Sequence, residues 1–153
     1  MSLEAVRAVL AEQAPELEIV ELSRNSETTY VSQTLGVQPG QVAKTLTLKV
    51  GDHNVVVLVA CGDSRLSTPK VKAELGAKKF RMLPADEAAA LTGHPVGGLC
   101  PLGLATPLPI YIDVRVKAYD EVVLGAGSTR HALRINPMRM ADLVGAQWVD
   151  VCH

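Results

Sequence analysis

QVAKTLTLKVGDHNVVVLVAC, residues 41–61, contains two apolar runs joined by a short polar turn. The alternation over residues 45–50 predicts a strand with one buried face, and GDHN at 51–54 predicts a hairpin turn. The run at 55–61 is apolar without interruption, which predicts a strand covered on both faces. The fold is therefore built outward from a hairpin whose second strand is fully interior.

On the N-terminal side, Leu3, Val6, Val9 and Leu10 recur at helical spacing behind a candidate Ser2 cap, so residues 3–13 read as an amphipathic helix. A short strand at 19–22 and a helix at 28–35 ended by Gly36 follow, and VQPGQ supplies one helical turn before the hairpin. On the C-terminal side, Ser67 and Pro69 start a helix that Gly76 stops, and residues 78–83 read as a strand. Residues 86–91 form an alanine-rich helix ending at Gly93. LPIYIDV, VVLGAG and HALRI read as three further strands, residues 137–144 as a closing helix and 148–151 as a last strand. No repeat or linker interrupts the pattern, so residues 1–153 read as one mixed-sheet α/β domain.

Composition agrees. The chain is long enough to bury roughly two thirds of its unfolded surface without a staple. It is 48% hydrophobic but only 3% aromatic, which suits an aliphatic core and disfavours base-stacking platforms. A net charge of −1 leaves any polyanion to be met by a local patch. The best such patch is Lys70, Lys72, Lys78 and Lys79 with Arg81, which reads equally as a solvated helix face. Three cysteines with no CxxC spacing match neither a disulfide framework nor a zinc knuckle and suit the cytoplasm. The N-terminus has no signal-peptide core, and the longest apolar run is too short to span a bilayer.

GHPVGGLCPLG, residues 93–103, packs four glycines and two prolines into eleven residues. Glycine permits positive φ and close approach, while proline fixes φ and removes donors, so the remaining amides point in defined directions. The loop reads as a connection or as a cradle for a carbonyl or phosphate oxygen. Lys44, among apolar neighbours at the start of a strand, either snorkels to solvent or projects into a cleft toward a phosphate or hydroxyl. His94 and His131 are acid/base candidates or ordinary loop and strand residues. Cys100 is a candidate nucleophile or a small buried side chain. No GxSxG, Walker A, GxGxxG or HExxH motif occurs, and neither metal nor cofactor is called for.

VAKTL at 42–46, TGHPVGGLCPLG at 92–103, LPIYID at 108–113, GAGS at 125–128 and HALRINPMRMADL at 131–143, with SETTYVSQTLGVQPGQ ahead of the lysine, together resemble the YbaK-like family. That family includes the editing domain inserted in bacterial prolyl-tRNA synthetases and its free-standing relatives. The resemblance implies helices packed around a mixed, largely antiparallel sheet, and trans-editing: hydrolysis of the ester that joins a wrong amino acid, such as Cys or Ala, to a tRNA, chiefly that for proline. It implies that Lys44 anchors the tRNA 3′ end and that Gly97 and Gly98 supply oxyanion-type donors. Thr28, Thr45, His94, Leu99, Cys100, Pro101, Gly103, Asp113, Gly127, Ser128 and His131 then line the aminoacyl pocket. The implied partners are the aminoacyl-tRNA acceptor end, met by the lysine patch, and a prolyl-tRNA synthetase; neither membrane nor DNA is implied. The alternative reading is a non-catalytic adaptor of the same fold that binds tRNA ends or nucleotides. A third is a cysteine-dependent hydrolase using Cys100.

Overall fold

The computed structural model describes residues 2–25 and 27–153. Ser26, at the head of the SETTYVSQTLGVQPGQ stretch, lies outside the described residues. The elements follow in order as α1 (Ser2–Gln13), β1 (Ile19–Glu21), α2 (Thr28–Leu35), β2 (Ala43–Val50), β3 (Asn54–Cys61), α3 (Thr68–Leu75), β4 (Phe80–Met82) and α4 (Ala85–Thr92). After the glycine loop come β5 (Ile110–Asp113), β6 (Val122–Gly125), β7 (His131–Ile135), α5 (Pro137–Val144) and β8 (Gln147–Val149). No helix among the described residues is long and apolar enough to cross a membrane.

The strands form two sheets where the sequence suggested one. Five strands run in the order β4-β2-β3-β5-β8, and three in the order β1-β7-β6. The β2–β3 hairpin is antiparallel in full register from Ala43 opposite Cys61 to Val50 opposite Asn54. β3–β5 and β5–β8 are parallel, and the remaining pairings are antiparallel. An isolated parallel bridge, Val42 to Val123, joins the sheets.

Strand alternation divides the hairpin between two cores. Ala43, Val59 and Cys61 face the space between the sheets, with Ile112, Leu124, Leu133, Met140 and the α1 residues Val6 and Leu10. Leu48, Leu58 and Ala60 face the other way onto Val71 of α3 and onto Val149 and Val151. Residues 56–61 are all buried, as an uninterrupted apolar run requires. α5 begins as its Asn-Pro signal dictates: Asn136 Oδ1 accepts from the Met138 and Arg139 N–H groups, and Pro137 occupies the first turn. Ser2 falls within α1 itself, and its hydroxyl donates to the Gly127 carbonyl and ties the helix start to the 125–128 segment.

Candidate functional site

The site follows from where β4 stops. β2 pairs with β3 along its whole length but with β4 only from Leu48 to Val50. One residue further, the Leu83 N–H donates to the Thr47 carbonyl at 3.1 Å, and then Pro84 ends the strand. The N–H and C=O of a strand residue point to one edge and alternate along the chain. Thr45 therefore presents its main chain to the same edge as Thr47, where β4 does not continue. The gap between this edge, β6, α2 and α4 is an apolar cleft of about 350 Å³.

β2 contributes residues 42–47, the start of α2 contributes Glu27, Thr28 and Val31, and β4 and α4 contribute Met82, Leu83, Ala85 and Ala88. Val96, Gly97 and Leu99 enter from the glycine loop, and residues 123–125 and Ala132 close the floor. Thr45 Oγ1 is buried without a partner among the described residues. Lys44 is half-buried on the opposite face of β2, and its ammonium donates to the Ser64 carbonyl. An ammonium has three donors, so this contact leaves others for a ligand.

Of the residues expected in the site, the structure brings together Thr28, Lys44, Thr45, Gly97 and Leu99 and leaves the rest outside. Gly98 does not offer its amide: the N–H donates to the Pro95 carbonyl at 2.9 Å, and its own carbonyl accepts from Gly127 N–H at 2.9 Å. The reason for glycine here is crowding, since an added Cβ would lie 2.7 Å from the Ser128 backbone. Gly103 and Gly127 similarly allow α1 to approach, with Ala5 and Ser2 backbone atoms 2.9 Å and 2.7 Å from their ideal Cβ positions. Gly97, at φ +91°, is the loop glycine that reaches the cleft.

His94 is fully buried, with Nε2 2.8 Å from the Leu102 carbonyl and Nδ1 unpartnered among the described residues. A carbonyl only accepts, so Nε2 carries the proton and the ring is neutral; burial pushes its pKa down. Cys100 and Pro101 are core residues, and burial drives the Cys100 thiol up to about 12, which removes it as a nucleophile. Asp113 is buried elsewhere. It caps the turn after β5 through Arg115 N–H and anchors the C-terminus by accepting from the Val151 and Cys152 N–H groups. Ser128 Oγ accepts from Arg130 N–H, and His131 sits opposite Glu21 in the three-stranded sheet.

The lysine patch is a weaker polyanion site than its composition suggests. Lys70 is paired with Asp150 at 3.0 Å and Lys79 with Asp52 at 2.6 Å, leaving Lys72, Lys78 and Arg81 as exposed members without an ion pair among the described residues. Lys79 also lies at the hairpin tip, its carbonyl bonded to Gly51 N–H, about 20 Å from Lys44 at ~3.3 Å per strand residue.

The model of the aminoacyl-tRNA editing domain family matches residues 26–143. Over 154 aligned residues the chain is 32% identical to the uncharacterized protein YwhH of Bacillus subtilis, covering 99% of this chain and 98% of that one. It is 27% identical over 121 residues to a candidate Cys-tRNA(Pro)/Cys-tRNA(Cys) deacylase, EbsC, of Enterococcus faecalis, covering 79% of this chain and 74% of EbsC. A crystal structure of a candidate trans-editing enzyme for prolyl tRNA synthetase superposes with a TM-score of 0.91 at 30% identity, covering 99% and 97% of the two chains.

Proposed function

This chain belongs to the aminoacyl-tRNA editing domain family, and we propose that it deacylates tRNA mischarged with a small amino acid, cysteine or alanine foremost, in the cleft at the open edge of β2. The observation that supports this most is the cleft itself: about 350 Å³, apolar-walled, with a cation at its rim and, in its side, the β2 edge beyond the reach of β4. That volume suits a small side chain with its ester, and the tRNA for proline is the acceptor suggested by what EbsC and the trans-editing enzyme are named for. A prolyl-tRNA synthetase is the corresponding partner.

On this reading Lys44 binds a phosphate at the tRNA 3′ end, where a point charge needs no planar geometry. The Thr45 N–H takes the role first given to Gly98, donating to the oxygen that becomes negative as water adds to the ester carbonyl. Gly97 forms the opposite wall; its φ of +91° favours glycine, and an added Cβ would point at the Thr129 side chain, 3.2 Å away, rather than into the cleft. The bond from the carbonyl carbon to the ribose oxygen then breaks, the ribose oxygen takes a proton, and free amino acid and tRNA leave. An aminoacyl ester is already activated, so positioning and charge stabilisation suffice without a side-chain nucleophile. Incubation with tRNA carrying Cys, Ala, Ser or Thr tests the proposal. Release of at least one amino acid well above the spontaneous rate supports it; tight tRNA binding without release from any of them makes the chain an adaptor instead.

A further inference from the structure

Two opposite charges line the cleft. Lys44 is the cation, held by the Ser64 carbonyl. Glu27 is the one carboxylate among the lining residues, exposed at the lip. It stands at the N-cap position of α2 with extended backbone, φ −116° and ψ 151°, yet its side chain makes no cap bond. Glutamate is not among the residues that ordinarily cap a helix, so its carboxylate is not taken up there. It forms no ion pair with Lys44 or any other cation among the described residues. Thr45 also lines the cleft, and the alternation that turns its N–H to the edge uncovered by β4 turns its carbonyl there too.

A carboxylate and a lysine without ion pairs among the described residues, both lining one apolar cleft, fit a ligand with a cation at one end and an anion at the other. Resting on the deacylase reading, we infer that the site reads the α-ammonium of the aminoacyl ester, received by the Glu27 carboxylate and the Thr45 carbonyl, while Lys44 holds the phosphate. Esterification removes the amino acid's own carboxylate, so with a small neutral side chain the α-ammonium is the acyl group's sole charge. Apolar walls such as Leu46, Leu83, Val96 and Leu99 sense its size but not that charge. A site built to pair with an N–H group rejects analogues lacking it, because its own polar atoms are then left unpaired. The consequence is a substrate class: free α-amino esters are cleaved, and N-acylated ones, including peptidyl esters, are excluded.

The test compares a mischarged tRNA that the wild type cleaves with the same tRNA after N-acetylation of its amino acid, each corrected for its spontaneous hydrolysis. The wild type loses about tenfold or more in kcat/KM on acetylation, the order one charge-assisted contact supplies. Glu27→Gln loses a similar factor on the free amine and none on the acetylated ester, while Glu27→Asp recovers part of the preference and both variants melt with the wild type. Equal cleavage of the two esters by the wild type, or an unchanged ratio in Glu27→Gln, overturns the inference and leaves the deacylase reading standing. No cleavage of any ester defeats both.

Discussion

Replacing Gly98 by alanine tests whether the glycine loop is held by close packing. Its backbone needs no positive φ, so alanine meets no conformational penalty there. The added Cβ would instead lie 2.7 Å from both the N and C atoms of Ser128 and 2.9 Å from its Cα, all backbone atoms that no rotamer change can clear. The loop must move off the 125–128 segment, stretching the Gly127 N–H to Gly98 carbonyl bond of 2.9 Å. Overpacking of this kind together with one weakened hydrogen bond costs about 2–4 kcal/mol. At roughly 2–4 °C per kcal/mol for a domain of this size, Tm falls by about 5–15 °C. Gly36→Ala is the control, because Gly36 has φ +68° and nothing within 4 Å of its ideal Cβ, so it carries only the left-handed penalty of about 1–2 kcal/mol. Thermal denaturation followed by circular dichroism reads both variants, and deacylation of a mischarged tRNA reads the displacement of Gly97 and Leu99 from the cleft wall. A Gly98→Ala protein as stable as Gly36→Ala, or more so, refutes the packing argument.

Two further outcomes follow from buried groups beneath the loop. Burial holds the His94 imidazole below its usual pKa, so as pH falls through about 6.5 the unfolded chain takes up a proton that the folded chain resists. The stability that neutral His94 contributes is complete above that pH and is lost as pH falls toward the folded value; urea denaturation of wild type and His94→Gln between about pH 5 and 8 will show the difference between them narrowing toward acid, and parallel curves would contradict it. Cys100, fully buried with its thiol pushed up to about 12, resists alkylation in the folded protein, and Cys100→Ala retains wild-type deacylation; rapid inactivation by a thiol reagent that Cys100→Ala escapes would restore the cysteine hydrolase.

Much of the fold was legible because local signals agreed with one another. The 28–35 and 137–144 helices match the structure to the residue, since Gly36 and Gly145 end them in the left-handed conformation and Asn136 with Pro137 starts the second. The division into two sheets was not legible, because it depends on which strands find each other across long separations, as β1 does with β7. Within the candidate site, the lysine motif lies on the strand that lines the cleft, but of the glycines and polar residues expected to contact a ligand most serve packing or hydrogen bonds within the fold. Gly98, Gly103 and Gly127 are small so that backbones can approach, and Asp113 is polar because it terminates one turn and fastens the C-terminus. Sequence reading also passed over Glu27 and the open edge at Thr45. The edge had a signal in Pro84, which cannot continue a ladder, though its meaning depended on knowing that β4 lies beside β2.

The most direct measurement is the rate at which wild type and Lys44→Ala release amino acid from a cysteinyl- or alanyl-tRNA for proline, with tRNA binding measured in parallel. The account predicts turnover by the wild type far above spontaneous hydrolysis and loss of it in Lys44→Ala without loss of the fold. Unchanged turnover in Lys44→Ala would contradict the assignment of the β2 cleft as the place where the ester is held.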